Sequence, residues 1–232
     1  MSISTRFMRA LTPLGIASTK AQVMRISGFT FVRNAVVLYY PVVESIRSIL
    51  PICDEFVVAA GDSTDGTTEL IRAIDSPKLR ILETVWNPDQ FVHGATNAVQ
   101  TNIALDACRG DWAIYVQADE VVHQDDLPVL VESMQRHLHD RRVEGLLFDY
   151  LHFFADYDHY MNAHGWYRRE VRVVRVPGWA GRGGGGGRGR ARWGGRNERR
   201  NKSRLVLARG SGRSPLLFSR LHPPPPQSGT LS

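Results

Sequence analysis

Two adjacent carboxylates, Asp119 and Glu120, close a run that reads Trp-Ala-Ile-Tyr-Val-Gln-Ala from Trp112 to Ala118. The mostly apolar, β-prone stretch from Trp112 to Val116 predicts a buried strand that stops abruptly at a polar, acidic end. Carboxylates at the C-terminal edge of a strand sit where open α/β sheets take their ligands. Two hard oxygen donors there suit Mg²⁺ or Mn²⁺ beside a phosphate. An isolated acidic turn would read the same way, so the surrounding elements decide between the two.

Those elements alternate. Arg25 to Val32 predicts a first strand, with Asn34 opening a turn. Val42, Val43, Ile46, Ile49 and Leu50 recur at helical spacing between Pro41 and Pro51, with Glu44, Arg47 and Ser48 on the other side. Glu55 to Ala60 predicts a second strand and runs into Gly61-Asp-Ser-Thr-Asp-Gly-Thr67, a loop of turn-forming and helix-capping residues. A helix from Thr67 to about Ile74 and a third strand, Leu79 to Glu83, come next. A polar loop with Trp86 and His93 leads to a helix from Ala95 to Cys108, stopped by Gly110. After the acidic-ended strand, Asp125-Asp126 is expected to cap a helix with Pro128 in its first turn and Leu127, Leu130, Val131, Met134 and Leu138 facing inward. Four strand–helix alternations imply right-handed crossovers and a mostly parallel sheet. Glu144 to Phe154 and Glu170 to Val176 then read as strands joined by an aromatic, His-rich segment, a lid or second subsite.

The chain divides by charge. Residues 177–232 hold 12 of the 29 Lys and Arg and one acid, Glu198, so the tail carries +11 and the rest of the chain −5. The same tail holds 13 of the 21 glycines, five of them consecutive, and the run Pro223 to Pro226. With no periodicity, and only Leu205 to Leu207 and Leu216 to Phe218 able to fill a core, it is expected to be disordered. Residues 1–23 lack acids and an apolar core, which fits an organellar transit peptide or upstream sequence before a natural start at Met24. Two cysteines, Cys53 and Cys108, build neither a disulfide scaffold nor a zinc site and fit a reducing, cytoplasmic setting. No run approaches the roughly 20 apolar residues that span a bilayer.

Four pieces in order carry a resemblance: the strand-turn opening with Asn34, the loop Ser63-Thr-Asp-Gly-Thr67, the helix segment Asn102 to Asp111, and the strand ending Gln117-Ala-Asp-Glu120. Over Met24 to Val176 they resemble the nucleotide-sugar-binding half of inverting family 2 glycosyltransferases, which have the α/β GT-A fold, Rossmann-like and mostly parallel with flanking helices. The resemblance implies that residues 24–122 bind a nucleotide-diphosphate sugar and that 123–176 begin an acceptor-side region. It places Phe31, Arg33 and Asn34 along the base and ribose, with Asp65 in the loop beside them; capping of the following helix is the plainer role for Asp65. The family usually has carboxylates just upstream of that loop, whereas this chain has Ala60 and Gly61, so Asp62 is the substitute. The family's Asp-x-Asp metal motif reads Gln117-Ala118-Asp119. Asp119 is thereby the expected ligand of Mg²⁺ or Mn²⁺, with Glu120 joining it or facing solvent. Gln117 would hydrogen-bond a ribose hydroxyl or a metal-bound water.

The family's catalytic base lies further on, where this chain switches to its Gly/Arg/Pro tail at Pro177, as after a reading-frame change or an alternative ending. The remaining candidates for acceptor chemistry are Asp149 and Glu170, with His152, Asp156, Asp158 and His164. Arg168, Arg169 and Arg172 either meet phosphate or form the wet face of a strand. Two other readings compete: an inactive remnant that still binds nucleotide sugar, and an RNA-binding protein acting through the Arg/Gly tail. The acidic body has no RNA-binding motif, which argues against specific nucleic-acid binding. The acceptor is not legible.

Overall fold

A computed structural model describes residues 23–87, 95–154, 159–161, 169–176, 205–207 and 216–221. Strands β1 (Ile26–Val32), β2 (Glu55–Ala60), β3 (Leu79–Glu83) and β4 (Trp112–Tyr115) fall where alternation predicts them. So do helices α1 (Val42–Ile49), α2 (Thr67–Arg72), α3 (Ala95–Asp106) and α4 (Leu127–Arg136). Further strands are β5 (Glu120–Val122), β6 (Gly145–Phe154), β7 (Tyr160–Met161), β8 (Arg169–Arg175), β9 (Leu205–Leu207) and β10 (Leu216–Leu221).

All the strands join one sheet in the order β3-β2-β1-β4-β8-β6-β10-β5, with β7 and β9 also paired to β6. The first four are parallel throughout. β8 then runs antiparallel to both β4 and β6. The strand expected at the rim of a parallel sheet thus has one parallel and one antiparallel neighbour, and its C-terminal end still shares an edge with those of β1 to β3.

Both faces of this parallel part are covered, which is why β2 is apolar from Phe56 to Ala60 and buried at every residue. Phe56, Val58 and Ala60 point to one side, into a core with Val42, Ile46 and Ile49 of α1 and Leu130 and Met134 of α4. Val57 and Ala59 point to the other, with Phe29, Tyr115, Ala104 and Leu105. Ile46 and Phe56 are fully buried, and truncating either to Ala would cost about 2–5 kcal/mol. Cys53 and Cys108 are free and buried, with the Cys108 thiol pushed up to about 12 by burial, so neither is poised to react.

Two local expectations change. Asp125-Asp126 does not cap α4 through a side chain; it belongs to a 3-10 turn, Gln124–Asp126, in which Asp125 N–H donates to His123 Nδ1 (3.3 Å). Glu120 opens the three-residue strand β5, too short to show alternation. The described pieces of the tail are two short strands: β9 pairs with β6, and β10 pairs with both β6 and β5. The rest of 177–232, together with residues 1–22, 88–94 (including His93), 155–158 and 162–168, lies outside the described residues. Among those described, no helix is long and apolar enough to cross a membrane.

Candidate functional site

Because β1 to β4 are parallel, the loops that leave their C-terminal ends converge on one edge. Asn34 takes a left-handed conformation (φ 53°), which an Asn tolerates, and turns the chain back over the edge. The loops after β1 and β2 are then stapled together by four hydrogen bonds. Asn34 N–H donates to Ser63 Oγ (3.0 Å) and Thr64 N–H to Asn34 Oδ1 (3.1 Å); Val36 N–H donates to Thr67 Oγ1 (3.3 Å) and Val37 N–H to Asp65 Oδ2 (2.9 Å). Asp65 Oδ1 also accepts from the backbone and hydroxyl of Thr67 (3.1 and 2.5 Å). Desolvation works against the Asp65 charge, but the hydrogen bonds from Thr67 and Val37 prevail and hold its carboxyl below the usual range. Asn34 and Asp65 therefore shape the loops through their side-chain oxygens.

Asp62, exposed in the same loop, pairs with Arg33 (3.0 Å) and accepts from Trp86 N–H (3.2 Å), and the Trp86 hydrogen bond is the largest influence lowering its carboxyl. Trp86 was read only as part of a polar loop. Its ring lies 5.8 Å from the Arg33 guanidinium and 6.0 Å from Phe31, forming an aromatic and cationic surface at the ends of β1 to β3. Gly61 makes room for it, since a Cβ there would lie 2.6 Å from Trp86 Nε1 and 3.0 Å from Arg33 Cβ.

The turn between β4 and β5 carries the acidic motif. Gln117 O accepts from Ser45 Oγ of α1 (2.7 Å) and from Glu120 N–H (3.1 Å), and Gln117 N–H donates to Glu120 Oε2 (2.9 Å). The Gln117 side chain bonds to the Tyr115 phenol, so that amide is engaged within the fold. Asp119 is half-buried in the turn that follows β4, and the Tyr40 phenol is raised first by its own burial and then by the Asp119 charge. Its carboxyl rises to about 6, chiefly by desolvation and then by the Glu120 charge, with Arg172 opposing. Among the described residues it forms no ion pair.

Glu120 departs from expectation, neither facing solvent nor joining Asp119. It is 1% exposed, and both its oxygens are taken by Arg172 on β8 (2.7 and 3.0 Å), with Tyr150 of β6 donating to Oε1. Arg172 correspondingly lies in the interior, and not on the wet face that alternation allowed. A long-range partner of this kind leaves no local signal in the sequence.

The register carries β8 and β6 past the end of β4. Tyr115 is followed at this edge by Glu170 opposite Phe148 and Arg169 opposite Asp149. Asp149 pairs with Arg169 (2.7 Å), and Glu170 approaches Arg172 at 3.7 Å. His152 is buried and stacks on Tyr150. Asp156, Asp158, His164 and Arg168 lie outside the described residues.

No group of three or more His, Cys, Asp or Glu able to enclose a metal occurs among the described residues. A single carboxylate such as Asp119 could hold a Mg²⁺-type ion only with substrate phosphate oxygens and water completing its shell, as such ions are commonly held.

The sequence profile described as glycosyl transferase family 2 matches residues 39–170. Among solved structures, the chain is similar to Staphylococcus aureus TarS 1–349, at 18% identity over 57% of this chain and 37% of that one, TM-score 0.41. The same protein in complex with UDP gives 17% identity, 58% and 37% coverage, and 0.43. Glucosyl-3-phosphoglycerate synthase from Mycobacterium tuberculosis, in complex with Mn²⁺, UDP and glucosyl-3-phosphoglycerate, gives 20% identity, 56% and 44% coverage, and 0.39. The chain thus spans less than half the length of these structures. No curated protein matches it. The profile covers more than half of the chain and runs from just before α1 through the second stapled loop and the Asp119 turn to Glu170 on β8: this chain belongs to glycosyl transferase family 2.

Proposed function

We propose that the chain transfers a sugar from a nucleotide-diphosphate sugar to an acceptor hydroxyl, with a divalent cation held at Asp119. The observation that carries this reading is the half-buried Asp119 in the turn after β4, on the same edge as the loops bearing Phe31, Arg33 and Trp86. Phe31 and Trp86 offer faces for a base, and Arg33, fixed by Asp62, offers donors beside it. The stapled loops hold that surface still, so that less ordering is needed when the donor binds. Asp119 would hold the cation whose positive charge draws the diphosphate end to the far side of the edge. A bound Mg²⁺ or Mn²⁺ would neutralise charge developing on the leaving diphosphate.

A base that deprotonates the acceptor from the opposite side gives inversion in a single displacement. The carboxylates that reach this edge beyond β4 are Asp149, paired with Arg169 (2.7 Å), and Glu170, 3.7 Å from Arg172, and both stand as candidates for the base. The UDP and Mn²⁺ complexes of the similar structures make uridine donors the first to try.

The test is a thermal-shift panel of UDP- and GDP-sugars with Mn²⁺, followed by measurement of nucleoside diphosphate release from any donor that stabilises the chain. Stabilisation by at least one donor, with slow release, is expected. A folded chain that no donor stabilises would contradict the reading.

A further inference from the structure

Arg172, which approaches Glu170 at 3.7 Å, is the most enclosed cation among the described residues, with a side chain 3% exposed. Its Nη2 and Nε donate to the two oxygens of Glu120 (2.7 and 3.0 Å), its Nη2 donates to Tyr150 Oη (2.5 Å), and its Nη1 donates to Val171 O (3.0 Å). The guanidinium lies 5.3 Å from the rings of both Tyr115 and Tyr150. Such a fork, held between two aromatic rings, leaves the Glu120 carboxylate one orientation.

Glu120 in turn closes the turn that bears Asp119. Its Oε2 accepts from Gln117 N–H (2.9 Å) while its own N–H donates to Gln117 O (3.1 Å). The chain of contacts therefore runs from β8 through Glu120 to the backbone on either side of Asp119. A buried ion pair contributes little net stability over apolar residues of the same volume, so stability alone does not account for this one.

We propose that Arg172 is a positioning residue for Asp119: by holding Glu120 inward it fixes the Gln117–Glu120 turn and leaves Asp119 as the carboxylate of that turn presented to the cation. This rests on the reading of Asp119 as the cation's ligand. It makes β8, an acceptor-side strand, a requirement for cation binding on the nucleotide side. Asp119 never touches Arg172 directly in this scheme; the effect passes through Glu120.

The test is Mn²⁺ binding to the full chain in the presence of UDP, followed by electron paramagnetic resonance, with the melting temperature measured alongside. Two variants are compared with the parent. Arg172→Lys keeps the buried charge but cannot span both Glu120 oxygens. Glu120→Gln combined with Arg172→Met removes both charges together and so avoids leaving either one unpaired. Each is expected to weaken Mn²⁺ binding about tenfold or more, equivalent to about 1.4 kcal/mol, with a melting temperature close to the parent's. A purely structural ion pair would leave Mn²⁺ affinity unmoved in a variant that folds, and parent-like binding in either folded variant overturns the assignment. Where the double variant does not fold, Arg172→Lys decides. A parent chain that binds no Mn²⁺ brings down the reading of Asp119 itself, and this assignment with it.

Discussion

Asp119 is an acid kept partly out of water, with its carboxyl raised from 3.8 to about 6 by desolvation and the neighbouring Glu120 charge. The folded chain therefore binds a proton at this site more tightly than the unfolded chain does. The resulting stability is complete below pH 3.8 and is lost as pH rises through about 6. Asp119→Asn removes the desolvated charge. Its melting temperature should exceed the parent's by roughly a few degrees at pH 7.5 and converge with it near pH 4, which a pair of thermal scans will show. Proton and cation also compete for the same oxygens, so Mn²⁺ affinity should fall as pH drops below about 6. Asp65 is the opposite case, an acid whose oxygens are all used inside the fold. Asp65→Ala should cost roughly 1–2 kcal/mol in urea unfolding, because it frees Val37 N–H and the Thr67 donors at once.

At the scale of elements, the loops matter more than the strands that carry them. Restoring the family's usual carboxylate with Gly61→Asp would push a side chain into the Trp86 indole. The expected outcome is a red shift of tryptophan emission as Trp86 leaves Arg33, and no such shift when the same change is made in a Trp86→Phe chain. Which elements were legible follows from the range of their causes. β2 and β3 were readable to the residue, and the helices to within a few residues, because apolar period and turn residues are local signals. Ser48 of α1 read as outward-facing, yet its Oγ accepts from Val122 N–H (3.2 Å), and Ser45 holds Gln117 O from a similar distance along the chain. Partners more than seventy residues apart leave no spacing to read. For the same reason the Asp119 turn could be placed from its strand, whereas the inward turn of Glu120 toward Arg172 could not.

At the scale of the whole molecule, the sheet continues into the segment that composition alone assigned to disorder. β10 lies between β5 and β6, with Ser219 opposite Glu120 and Phe218 opposite Val121. A chain ending at Val176 would leave the β5 backbone at Glu120–Val122 without this partner. Amide exchange at Val121 and Val122 should accelerate in that shorter chain relative to the full one, while exchange in β1 and β2 stays slow; equal protection in both chains would show that β10 contributes nothing there.

The account turns on a cation held between Asp119 and the diphosphate of a nucleotide sugar. Calorimetric titration of UDP into the full chain, with and without Mn²⁺ and repeated on Asp119→Asn, addresses it most directly. Binding that requires Mn²⁺ in the parent and disappears in the folded Asp119→Asn chain is the predicted result. Equal heats with and without Mn²⁺, or a variant that binds as the parent does, would contradict it.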